Sequence, residues 1–127
     1  MQQTLQLTTV DSRATAREWI NTVLPPNSLV AIESYSPFVD PSRFRLVKSE
    51  RAIDHELDWY LDHGVDYVIL NQPMFGRYFA HPPQYPEEVA LYQHLMDSLT
   101  LVKRFDDGGY VVDIYRTPLA ADQRHLN

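Results

Sequence analysis

The chain has no cysteine, which removes disulfides, thiolate metal sites and cysteine nucleophiles from consideration. Glycine is scarce too: Gly64, Gly76, Gly108 and Gly109 are the full set. Neither a dinucleotide-binding fingerprint nor a phosphate-binding loop can be built from four such scattered positions. No apolar run approaches the roughly 18 residues of a membrane span, so this stretch is expected to be soluble. Positive charge is also short, with 11 Lys and Arg against 17 Asp and Glu and a net charge of -6. Nucleic acid, which calls for a basic footprint, is therefore not an expected partner.

What remains suffices for a core. A chain of 127 residues, 44% of them hydrophobic, buries roughly two thirds of its unfolded surface on folding. The pattern divides into a lead-in or edge strand at 1–10, one α/β domain at 11–117, and a flexible tail at 118–127.

Within the domain, Asp11 or Ser12 caps a first helix whose apolar face is Ala16, Trp19, Ile20 and Val23. Pro25-Pro26-Asn27 stops it. Leu29 to Ser34 reads as a buried strand and Phe44 to Val47 as a weaker one. Ser49 caps a second helix spanning about Glu50 to His63, with Ile53, Leu57, Tyr60 and Leu61 inward. Gly64 ends that helix, and Asp66 to Leu70 form a strand covered on both faces. A long aromatic loop, Asn71 to Tyr85, precedes a third helix opened by Pro86 and acidic at its start with Glu87 and Glu88. Val89, Tyr92, Leu95, Met96 and Leu99 are its apolar stripe. Leu101 to Phe105 and Tyr110 to Tyr115 flank Asp106-Asp107-Gly108-Gly109, a hairpin signal. Strands alternating with helices predict an α/β sandwich with a mostly parallel sheet of about four or five strands, helices on its faces, and a C-terminal antiparallel hairpin.

Chemistry is harder to find. His55, Asp58, Asp62 and His63 share a helical face but read as a solvated acidic surface, and no metal or cofactor is expected. Ser34 and Ser36 lack a nucleophile-elbow motif. Glu33 ends an apolar strand, where burial raises a carboxyl pKa, and Arg13, Arg43 or Arg77 is its expected partner. The aromatic loop, with Phe75, Tyr78, Phe79 and Tyr85, sits where open α/β sheets place ligands. Glu33, Tyr35, Asn71, Gln72, Arg77, Tyr78 and His81 are the candidate ligand or partner contacts, with none assigned as catalytic.

Asp11-Ser12-Arg13, Ala16, Trp19-Ile20, Pro25-Pro26-Asn27-Ser28, and Ala31-Ile32-Glu33 with Tyr35 and Pro37 form an ordered series. It continues in Gly64-Val65-Asp66-Tyr67-Val68-Ile69, Gly76-Arg77-Tyr78-Phe79, Tyr85-Pro86, Tyr92 with Leu95, and Ile114-Tyr115-Arg116. Across about residues 11 to 116 the series resembles the soluble extracytoplasmic region of bacterial relatives of the dolichyl-phosphate-mannose–protein mannosyltransferases. Ser12 departs from the usual Thr, and Asn27 stands where that turn usually has Gly. The resemblance implies an accessory domain on the extracytoplasmic face of a bacterial membrane glycosyltransferase. Its partners would be the membrane-embedded portion of the same protein and a glycan or protein acceptor. The catalytic aspartate of such enzymes lies in an early loop outside this stretch, so no catalytic residue carries over. A stand-alone soluble binding module using the 71–85 loop is the alternative.

Overall fold

The computed structural model describes residues 11–120, so the lead-in at 1–10 and most of the tail, 121–127, lie outside the described residues. Asp11 opens α1 (Ser12–Val23), its side chain accepting the Arg13 N–H at 2.9 Å. The helix ends at Leu24, ahead of the two prolines. Asn27 then takes a positive φ of 71°. Asparagine tolerates that conformation better than most residues with a Cβ.

Five strands follow: β1 (Leu29–Ile32), β2 (Arg45–Lys48), β3 (Tyr67–Asn71), β4 (Thr100–Phe105) and β5 (Val112–Arg116). They form one sheet in the order β2-β1-β3-β5-β4. β1 runs parallel to both β2 and β3, whereas β5 is antiparallel to β3 and β4, so the expected mixed α/β sandwich is the observed one. β3 is buried along its whole length, as its continuous apolar sequence requires. Asp66 fixes its start by accepting the Leu29 N–H through Oδ2 at 2.9 Å.

Alternation along the strands separates two cores. On one face α1 packs Ala16, Ile20 and Leu24 against Val30, Ile69, Val112 and Ile114. On the other, Ala31, Val68, Leu70 and Tyr115 meet Tyr60, Phe75, Tyr92 and Leu95 from the remaining helices. Trp19 is only half-buried, edge-on to Phe105 with ring centroids 6.0 Å apart. Trp19→Ala is therefore expected to cost about 2 kcal/mol, below the ~3–5 kcal/mol of a fully buried aromatic. Urea denaturation measures this, and a loss below about 0.5 kcal/mol, the size of an ordinary surface change, would mean that the ring is not packed.

Two expectations fail. The helix foreseen over Glu50 to His63 is instead a 3-10 turn (Ala52–Asp54) followed by the short α2 (Leu57–Asp62). The break at His55 and Glu56 is extended backbone, because the turn closes on itself: the Asp54 carboxylate accepts the Arg51 backbone N–H at 2.9 Å and its Nε at 3.0 Å. Gly64 does follow with φ 78°. An added Cβ there would touch nothing within 4 Å, so only backbone strain opposes substitution. Gly64→Val is expected to cost about 1–2 kcal/mol, with Gly64→Asn recovering part of it in the same denaturation series. Equal stability of Gly64→Val and the parent would contradict the left-handed cap.

The second failure concerns the aromatic loop. Most of it is α3 (Gln72–Phe79), and only a short turn separates that helix from α4 (Pro86–Ser98). Pro73 and Gly76 read as helix breakers, yet proline fits a first turn, where its missing N–H is not needed. Gly76 is where a Cβ would come within 3.0 Å of the Gln72 side chain. Met74, Phe75 and Tyr78 then point into the core. Among the described residues no helix is long and apolar enough to cross a membrane.

Candidate functional site

The sheet order places the carboxyl ends of β1 and β3 side by side. The chain leaves β1 for β2 on one side and returns as β3 on the other, which is the switch point where open α/β sheets bind ligands. Glu33 immediately follows β1, and Asn71 ends β3.

That crevice is closed from within. Glu33 is buried, at 4% exposure. Its Oε1 accepts the Ala52 N–H at 2.8 Å and the Tyr92 hydroxyl at 2.7 Å, and its Oε2 accepts the Asn71 N–H at 2.8 Å. The Asn71 side-chain amide lies 3.5 Å away, a weak contact, while its Oδ1 is buried with no partner. One carboxyl thus ties β1 to the 3-10 turn, to β3 and to α4. Burial pushes the Glu33 carboxyl above its ordinary range, against the lowering pull of the Ala52, Tyr92 and Asn71 hydrogen bonds. Burial, with the adjacent Glu33 charge, likewise pushes the Tyr92 and Tyr60 hydroxyls up. Tyr60 donates to the Ala52 carbonyl, so both tyrosines converge on the segment that Glu33 holds.

The arginines foreseen as partners of Glu33 are engaged elsewhere. Arg13 donates to the Ser36 carbonyl at 3.4 Å, Arg43 to the Leu24 carbonyl at 2.7 Å, and Arg77 to the Pro73 carbonyl at 3.0 Å. Backbone donors and a tyrosine take their place because the strand end points inward, beyond the reach of surface guanidinium groups.

The other candidate contacts disperse. Gln72 pairs with Val111 through both its backbone N–H and its Oε1, fastening α3 to the hairpin. Tyr78 is buried, and its hydroxyl accepts from Arg51 Nη1 at 3.3 Å. Arg77 and His81 are exposed, and neither hydrogen-bonds to Glu33. Tyr35 is exposed beside Glu33, over a hollow of about 320 Å³ that both line. The face carrying His55 and His63 stacks both imidazoles on Trp59, with ring centroids 3.7 and 3.9 Å away. Among the described residues no group of three or more His, Asp or Glu is placed to hold a metal ion.

Sequence reasoning missed Tyr92 as the partner of Glu33 and the buried Asp113 held by Arg104. Tyr92 carried a signal: a tyrosine in an otherwise apolar stripe buries a hydroxyl, which needs an acceptor.

The site is therefore a hydrogen-bonded lock at the position where related sheet architectures hold a ligand. Comparison of the chain with protein-family models, curated proteins and solved structures finds no match.

Proposed function

We propose that this chain is a non-catalytic accessory domain of a membrane glycosyltransferase-like protein, placed on the extracytoplasmic face of the membrane. There it assists acceptor binding or caps the membrane-embedded active site. The observation that carries this reading is the state of Glu33, whose two oxygens are taken up by internal donors. An acid held by three internal donors ties strands together and is not free to turn toward a reacting group.

Further support comes from what the residues of the mannosyltransferase-like series do. Asp11 caps α1, Gly64 turns the chain into β3, Asp66 anchors β1, Pro86 opens α4, and Tyr92 meets Glu33. Such residues preserve a folded module, as an accessory domain requires.

Two assays test the reading together. The isolated chain, given polyprenyl-phosphate-linked sugars, is expected to show neither transfer nor hydrolysis. Membranes carrying the parent protein without residues 11–116 are expected to lose sugar transfer to the acceptor. Turnover by the isolated chain, or unchanged transfer after the deletion, would overturn the proposal.

A further inference from the structure

The turn after β1 carries a feature that the Glu33 lock does not require. Tyr35 has a φ of 72°, a left-handed conformation that is strained for a residue with a bulky side chain. No buried packing of the ring compensates, since Tyr35 is 50% exposed. The backbone is nonetheless pinned: the Tyr110 hydroxyl donates to the Tyr35 carbonyl at 2.6 Å, and the Ser36 N–H to the Glu33 carbonyl at 3.3 Å. Strain enforced by the surroundings clusters at ligand-binding positions.

A second ring lies nearby. Phe38 is 51% exposed, and the Arg17 guanidinium covers it, 4.9 Å from the ring centroid. Tyr35 and Phe38 line the hollow of about 320 Å³ together with Leu46, Val39 and Lys48. That volume is at the lower end of the ~300–1,000 Å³ typical of small-ligand clefts. The charged residues lining it are Glu33, already occupied, and Lys48, which makes no ion pair with another described residue. Pro37 and Pro41 stiffen the wall, so little order is lost when a ligand enters. Two half-exposed rings, with an ammonium that has no ion pair among the described residues, suit a rigid, hydroxylated ligand with an apolar face and a negative charge.

We propose that Tyr35, Phe38 and Lys48 form a binding site for an acidic sugar. The apolar face of a uronic acid ring rests on the aromatic side chains, and its carboxylate meets Lys48. An acidic peptide shares the charge, but a hollow of this volume matches a compact ring better than an extended chain. The site adjoins the hydrogen-bonded lock, with Glu33 lining one wall of the hollow, but it does not depend on attachment to a membrane protein.

The test is a titration of the ¹⁵N-labelled chain with trigalacturonate, neutral galactotriose and oligoglutamate. Trigalacturonate is expected to shift the amides of Tyr35, Phe38 and Lys48, and the other two ligands to bind at least about tenfold more weakly. Tyr35→Gly is expected to raise Tm by relieving the backbone while losing about tenfold or more in affinity. Lys48→Gln should abolish the preference for the acidic sugar over the neutral one. The proposal is overturned if trigalacturonate leaves these amides unmoved, if oligoglutamate binds equally well, or if Tyr35→Gly binds like the parent.

Discussion

Glu33→Ala is expected to lower the unfolding free energy by about 4 kcal/mol. The substitution strands the Ala52 and Asn71 N–H groups and the Tyr92 hydroxyl, all on buried residues. Each buried donor left without an acceptor costs ~1–3 kcal/mol, and local rearrangement recovers part of the sum. Against a typical domain stability of ~5–15 kcal/mol this is a large fraction, visible as a shift of the urea midpoint. A loss below about 1 kcal/mol, the net worth of one ordinary hydrogen bond, would mean that the three donors find other acceptors.

The same residue sets a pH dependence. Its carboxyl pKa is raised above the ordinary value of 4.5, so the folded state binds this proton more tightly than the unfolded state does. Stability from this group is fully present below the unfolded value and is lost as pH rises through the folded one. Glu33→Gln cannot ionise and should remove that downward slope, whatever its offset in absolute stability. Parallel pH profiles for Glu33→Gln and the parent above pH 4.5 would contradict the assignment.

Arg104→Met carries the second large expectation, a loss of about 3 kcal/mol. Asp113 is fully buried on β5 and is gripped by two guanidinium contacts, Nε at 2.7 Å and Nη2 at 2.9 Å. Removing one partner of a buried pair costs ~3–5 kcal/mol, because the remaining charge is left uncompensated. The lower end applies here, since the Arg104 side chain is 49% exposed and water screens the pair from that side. A double-mutant cycle separates loss of the pair from loss of packing. Asp113→Asn in the Arg104→Met background should restore much of the stability, and failure to restore it would place the cost in the Arg104 aliphatic stem.

Much of the architecture was legible because local signals and burial agreed. Asp11, Gly64, Pro86 and the Gly108 turn each marked an element boundary for a stereochemical reason that the tertiary structure did not need to override. The failures arose where it did override. Pro73 and Gly76 resemble loop punctuation until one sees that Met74, Phe75 and Tyr78 have a core to fill. The helix expected from Glu50 opens instead as a 3-10 turn whose first N–H, that of Ala52, goes to Glu33, a partner 19 residues away. It breaks at His55 and Glu56. The candidate site was half visible. An acid at the end of an apolar strand pointed to a buried carboxyl, but its donors come from the 3-10 turn, β3 and α4, which only the fold brings together. The positive φ of Tyr35 had no sequence signal, because no residue type that favours it occupies the position.

The accessory-domain account is tested most directly by locating the native polypeptide. An antibody against residues 11–117, used on fractionated source cells, should detect a species well above the 14.8 kDa of this chain. That species should sit in the membrane fraction, resist carbonate extraction, and be cut by protease added to intact spheroplasts. A 14.8 kDa protein in the soluble fraction, untouched by external protease, would contradict the account.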